Sequence, residues 1–65
     1  MKINVNGKAV EISEKTTLLE FVEVRGIRDG VIAELNGRVV PRNVWADMVL
    51  SDGDCLEMVS LVGGG

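Results

Sequence analysis

The chain has 65 residues, of which 46% are apolar and 26% are charged, and its formal net charge is −3. This length predicts one small domain, and this balance of residues argues against an intrinsically disordered chain. The negative charge argues against a nucleic-acid-binding protein, which would present a basic face. Because the chain has no histidine and a single cysteine, the usual nucleophile–base pairs and cysteine-based metal sites cannot be built, so we expect a protein that is not an enzyme.

The cysteine content and the first residues predict a cytoplasmic protein. Cys55 has no partner for an internal disulfide, which suits a reducing compartment. Residues 1–6 alternate between polar and apolar side chains and do not resemble a signal peptide. No apolar run approaches the roughly 20 residues that a membrane-spanning helix needs.

The first predicted element is a β-hairpin. Residues 2–6 and residues 8–13 each place apolar side chains at alternate positions, which is the period of a strand. Between them, Asn6-Gly7 is a strong signal for a two-residue turn, because both central positions of a type I′ turn need positive φ.

A short helix is predicted next, over residues 17–25. Thr17 offers a hydroxyl N-cap, and Glu20 follows it at the spacing of a capping box. Apolar side chains then recur at helical spacing on one face, and Gly26 is a favourable residue just past the end.

The second half of the chain predicts another hairpin and a final strand. Its segments are a strand over 31–36, an Asn36-Gly37 turn, a short strand over 38–40 ended by Pro41, one helical turn over 43–47, a turn over 51–54 and a strand over 55–62. This order predicts an α+β protein with a ubiquitin-like β-grasp fold, in which a mixed sheet of about four to five strands wraps one helix. We expect the last strand to run parallel to the first. Residues 1–62 are predicted to form this domain.

Residues 63–65 are predicted to form a flexible tail. Gly63, Gly64 and Gly65 follow the last strand directly. Glycine loses more conformational entropy on ordering than any other residue, so three in a row favour a flexible segment. One interpretation is an inert glycine-rich end. The other is a thin chain that delivers a terminal carboxylate through a narrow channel into another protein's active site. That chemistry needs no catalytic residue on this chain, which agrees with the missing histidine.

Three segments together resemble the ThiS family of sulfur carriers. They are residues 36–45, which contain Val-Pro-Arg-x-x-Trp, then Asp52-Gly53-Asp54, then Val62-Gly63-Gly64-Gly65. The resemblance implies that an adenylating enzyme related to ubiquitin-activating enzymes uses ATP to adenylate Gly65. It further implies that a sulfur relay, such as one supplied by a cysteine desulfurase, converts Gly65 to a thiocarboxylate, and that thiazole synthase takes the sulfur for thiamine. No cofactor is then bound by this chain itself, and Gly63 takes the place of the family's small residue before Gly-Gly.

Other functions remain open at this point. A carrier for molybdopterin synthesis would use the same chemistry, although the Val-Pro-Arg-x-x-Trp run argues against it. A ubiquitin-like modifier would instead form isopeptide bonds through Gly65. A plain interaction domain would leave the tail inert.

Several conspicuous residues are interpreted as structural. We predict that Trp45 is a packing anchor, that Asp52 and Asp54 belong to a turn and hold no metal ion, and that Cys55 is a half-buried residue without a role in sulfur transfer.

The free face of the sheet is the remaining candidate site. If Glu57 points outward, Val59 and Leu61 share its side, and Glu34 places Ile32 on the same outer face. Ile32, Val59 and Leu61 are therefore predicted to form an apolar patch near the tail, on which a partner docks.

Overall fold

The helix and strands follow one another in the predicted order. The computed structural model describes residues 1–26 and 30–60. Its elements are β1 (Lys2–Val5), β2 (Lys8–Glu11), α1 (Leu18–Val24), β3 (Val31–Leu35), β4 (Arg38–Val40), a 3-10 helix (Arg42–Asp47) and β5 (Cys55–Ser60).

All five strands belong to one mixed sheet with the order β2-β1-β5-β3-β4. β5 runs parallel to β1, and the other neighbouring strands are antiparallel. The last strand is therefore inserted between the two hairpins, at the centre of the sheet. The predicted α+β, ubiquitin-like β-grasp architecture is confirmed, as is the parallel pairing of the first and last strands.

Both hairpins turn at the predicted Asn-Gly pairs. The φ angles are 50° and 87° at Asn6 and Gly7, and 52° and 85° at Asn36 and Gly37. Positive φ at both central positions is the requirement of a type I′ turn, whose twist matches that of the flanking strands. These turns set the register within each hairpin.

Helix α1 begins with the predicted capping box. The Oγ1 atom of Thr17 accepts a hydrogen bond from the Glu20 backbone N–H at 3.1 Å, and the Glu20 carboxylate accepts one from the Thr17 backbone N–H at 2.9 Å. The helix ends at Val24, after which Gly26 adopts φ 66°. A helix of 7 residues is too short to be stable alone, so packing against the sheet must hold it.

Some boundaries differ from the predicted ones. The helical turn expected over residues 43–47 is a 3-10 helix that begins at Arg42, directly after Pro41, whose φ is −60°. The strand expected over residues 8–13 ends at Glu11, although the Ile12 N–H still donates to the Met1 carbonyl oxygen at 2.9 Å. Residues 61–62, expected to end the last strand, lie outside the described residues, as does the predicted tail.

The core lies between helix α1 and one face of the sheet. Its buried side chains are Ile3, Leu18, Phe21, Val22, Ala33, Val40, Trp45, Leu50 and Leu56. Trp45 is 1% exposed, which agrees with its predicted role as a packing anchor. Within residues 1–26 and 30–60, no helix is long and apolar enough to cross a bilayer.

Candidate functional site

Strand β5 divides its side chains between the core and an uncovered sheet face, here called the open face. Leu56 is buried and Met58 is half-buried against the core, whereas Cys55, Glu57 and Val59 are exposed. This division follows from strand geometry, in which successive side chains point to opposite faces. The alternation on which the sequence argument relied therefore places Val59 on the open face.

An apolar pair lies on the open face where β5 meets β3. Ile32 is directly opposite Val59 in the antiparallel register. Val59 is 50% exposed and Ile32 is half-buried. The third residue of the predicted patch, Leu61, lies outside the described residues.

Val39 also points to the open face, which the sequence argument missed. It is opposite Glu34 in the β3–β4 register and is 61% exposed, while its neighbour Val40 is buried. The alternation of Val39 and Val40 places their side chains on opposite faces, but a strand of three residues is too short to establish an alternating pattern from the sequence. Ile32, Val39 and Val59 together are the candidate docking site and are called the docking patch.

Two carboxylates interrupt the apolar surface. Glu34 and Glu57 are direct cross-strand partners, and their side chains lie on the same face as the docking patch. Among the described residues, neither carboxylate takes part in an ion pair or a side-chain hydrogen bond. Like charges in this arrangement destabilise a sheet. The open face thus combines exposed valines with unneutralised negative charge.

The thiol of Cys55 is exposed, which corrects the prediction that it is half-buried. The side chain points to the open face, where nothing in the described part of the chain covers it. The backbone of Cys55 has a structural role, since its N–H donates to Oδ1 of Asn36 at 2.9 Å.

The Asp52-Gly53-Asp54 segment is a turn, as predicted. Asp52 accepts a hydrogen bond from the Lys2 backbone N–H at 2.8 Å, and Asp54 accepts one from the Ser51 N–H at 2.7 Å. Both carboxylates are therefore engaged in holding the turn. In residues 1–26 and 30–60, no group of three or more His, Cys, Asp or Glu side chains is placed to hold a metal ion.

The predicted carrier residues, Gly63, Gly64 and Gly65, lie outside the described residues. The last described residue, Ser60, follows Val59 directly in β5. The chain that leads to Gly65 therefore continues from the strand that carries part of the docking patch.

Comparison with known proteins decides the family. The profile of the ThiS family matches residues 3–65. The chain belongs to the ThiS family. Its membership confirms the prediction of a ThiS-like sulfur carrier of thiamine biosynthesis, which is a carrier and not an enzyme.

Two relatives match this ThiS family chain over its whole length. The sulfur carrier protein ThiS of Escherichia coli (strain K12) is 30% identical over 66 residues, covering 100% of both chains. A thiazole synthase of Paramagnetospirillum magneticum (strain ATCC 700264 / AMB-1) is 33% identical over 66 residues. The chain spans 20% of the length of that thiazole synthase.

Solved structures of ThiS have the same architecture. The crystal structure of the thiamine biosynthesis protein ThiS from Geobacter metallireducens superimposes with a TM-score of 0.87 at 30% identity, covering 100% of both chains. A solution structure of a thiamine biosynthesis protein from the same organism gives a TM-score of 0.80 at 32% identity and is covered over 88% of its length.

Proposed function

We propose that this chain carries sulfur as a thiocarboxylate on Gly65 and delivers it to a thiazole synthase, using the open face to dock on its partners. Membership of the ThiS family is the observation that carries the proposal. The match between the whole chain and part of a thiazole synthase supports the choice of acceptor, because a ThiS-like segment within that protein's length brings carrier and synthase together.

The proposed chemistry takes place in partner enzymes. The Gly65 carboxylate attacks the α-phosphorus of ATP in an adenylating enzyme, which releases pyrophosphate and leaves an acyl-adenylate. A persulfide from a cysteine desulfurase relay then displaces AMP, and a thiol cleaves the resulting S–S bond to leave the thiocarboxylate. The chain itself contributes the carboxylate, a thin glycine tether at Gly63 and Gly64, and a docking surface. ATP is used by the partner, and no cofactor is assigned to this chain.

The open face suits an apolar partner surface edged with basic side chains. Val39 is 61% exposed and Val59 is 50% exposed, so burying these side chains against a partner would contribute to binding. Glu34 and Glu57 lie beside them without cationic partners among the described residues, which gives an incoming Lys or Arg a complementary charge. A reducing compartment such as the cytoplasm suits both the exposed thiol of Cys55 and this chemistry.

Intact-mass measurement tests the carrier chemistry. The protein is incubated with the adenylating enzyme, MgATP, a cysteine desulfurase and cysteine. We expect a mass gain equal to the exchange of one oxygen for sulfur, and we expect none in a variant lacking Gly65. Covalent attachment to lysines of other proteins would instead indicate a ubiquitin-like modifier. No change of mass with active partner enzymes would contradict the proposal.

A pair of matched variants tests the docking patch. Val59→Asp places a charge on the open face, while Val49→Asp makes the same change at a valine of similar exposure, 53% against 50%, beside the start of α1. We expect Val59→Asp to raise the KM for adenylation about tenfold or more, because an apolar contact is lost and a charge must be buried. Val49→Asp should leave KM within about twofold of wild type, as expected for surface changes outside a binding site.

Two results of this comparison would contradict docking through the open face. One is a wild-type KM for Val59→Asp, and the other is an equal rise for both variants. The same substitution at Leu61, the third residue of the predicted patch, extends the test towards the tail.

A further inference from the structure

Both Asn-Gly turns contact the central strand β5 through their asparagine side chains. At the start of β5, Asn36 accepts a hydrogen bond at Oδ1 from the Cys55 N–H at 2.9 Å and donates from Nδ2 to Asp54 at 3.0 Å. Further along β5, Asn6 accepts at Oδ1 from the Met58 N–H at 2.8 Å and donates from Nδ2 to the Met58 carbonyl oxygen at 3.4 Å. Each turn therefore fixes a different part of the same strand.

The Asn6 side chain continues a ladder of main-chain hydrogen bonds. The Asn4 N–H donates to the Asp54 carbonyl at 2.8 Å, and the Asn6 N–H donates to the Leu56 carbonyl at 2.9 Å. At Asn6 the chain turns away from β5, so β1 offers no further backbone group. The side-chain amide of Asn6 takes its place, because it carries the same donor and acceptor as a peptide group.

We propose that Asn6 is a positioning residue for the C-terminal tail. Its amide holds Met58, seven residues before Gly65, and so sets the direction in which β5 leaves the sheet. The proposal rests on the proposed function, because the exit direction matters only when Gly65 has to enter a partner's active site. Asn36 holds the opposite end of β5 and has no such role.

The end of β5 has different hydrogen-bonding partners on its two sides, which is why the Asn6 contact matters. On the β3 side, pairing continues through Val59 to Ser60, opposite Ile32 and Val31. On the β1 side, the backbone register ends at Val5 and Leu56, and Asn6 supplies the contact beyond it. Without that contact, Met58 loses both of its hydrogen bonds to Asn6, and its backbone opens more readily.

Matched glycine variants test the proposal. Asn6→Gly and Asn36→Gly each remove two side-chain hydrogen bonds, and each keeps a residue that accepts the positive φ of the turn. Amide hydrogen exchange is measured at Met58 and, as a reference for global unfolding, at Ala33. Steady-state kinetics of adenylation are measured for both variants under conditions in which each is folded.

We expect Asn6→Gly to accelerate exchange of the Met58 amide about tenfold beyond any change at Ala33, as the loss of a local hydrogen bond implies. It should lower kcat for adenylation about two- to tenfold with little change in KM, because docking is intact and delivery of the tail is impaired. Asn36→Gly should change neither. Asn6→Asp keeps the acceptor for the Met58 N–H but replaces the Nδ2 donor with an oxygen that faces the Met58 carbonyl oxygen, so it should recover only part of the kcat lost in Asn6→Gly.

Three results would overturn the positioning role. They are an unchanged Met58 exchange rate in Asn6→Gly, an unchanged kcat, or an equal loss of kcat in Asn36→Gly. Failure of the wild-type protein to be adenylated at all would overturn the proposed function and the positioning role with it. The Met58 exchange rate would still report separately whether the Asn6 contact forms.

Discussion

Replacing Trp45 with phenylalanine tests how much stability depends on the connection after β4. The Trp45 side chain is 1% exposed, and its Nε1–H donates to the Val40 carbonyl oxygen at 2.8 Å. Phenylalanine keeps an aromatic ring but removes this donor and part of the buried volume. We expect the lost hydrogen bond to lower the free energy of unfolding by about 1 kcal/mol and the cavity by about 1–2 kcal/mol, together about 2–3 kcal/mol.

This loss is large for a chain of this length. A typical free energy of unfolding scales to about 3–10 kcal/mol for a domain of this size. Urea unfolding is followed by far-UV circular dichroism, since Trp45 is the only tryptophan and its fluorescence disappears in the variant. An isosteric control, β-(3-benzothienyl)alanine at position 45, keeps the ring shape without the N–H and should lose only the hydrogen-bond contribution of about 1 kcal/mol.

Two outcomes would refute this reasoning about Trp45. A loss below about 0.5 kcal/mol in Trp45→Phe would show that the connection contributes little, because it falls under even a single net hydrogen bond. A changed KM for adenylation in folded Trp45→Phe would show that Trp45 also affects recognition, for example through Arg42, whose guanidinium lies 5.1 Å from the centre of the Trp45 ring.

Three further predictions concern single residues. Glu57→Gln removes the like charge opposite Glu34. It should raise the free energy of unfolding by about 0.2–1 kcal/mol in low salt and by less in high salt, and it should raise KM for adenylation. An unchanged urea midpoint would contradict the effect on stability. Lys15→Gly relieves a non-glycine residue at φ 68° and should add up to about 1 kcal/mol to the free energy of unfolding, visible as a higher Tm. A lower Tm would show that the greater backbone entropy of glycine in the unfolded chain outweighs the relief of strain. Thr17→Ala removes half of the capping box with Glu20 and should lower the free energy of unfolding by about 1 kcal/mol, with Thr17→Ser as the control that keeps the hydroxyl.

Local signals were sufficient for most of the fold. Each Asn-Gly pair and its flanking alternation define a hairpin without reference to the rest of the chain, and the capping box defines the start of α1 in the same way. The 3-10 form of residues 42–47 was not predictable from these signals. It accompanies the burial of Trp45 in the core, which is a tertiary feature.

The candidate site was predictable only in part, for a related reason. Alternation assigned Val59 and Ile32 to one face, because side-chain direction is a local property of a strand. Their direct pairing, and that of Glu34 with Glu57, depends on the register between strands that are far apart in the sequence. The contact of Asn6 with Met58 depends on the same kind of register. Asn6 was therefore visible in the sequence as a turn residue only.

Among the described residues, two of the four exposed valines lie on the open face, and two, Val24 and Val49, lie elsewhere. Val39 and Val59 are exposed on the open face, and Glu34 and Glu57 oppose each other beside them. On the other face, the same strands bury Leu56 and their remaining core residues against α1. Since neighbouring residues of β5 point to opposite faces, substitutions at Leu56 and Glu57 should separate the two properties: the first lowers stability, and the second changes recognition while slightly raising stability. A surface that destabilises the isolated domain yet matches an apolar, basic partner is what a docking role requires.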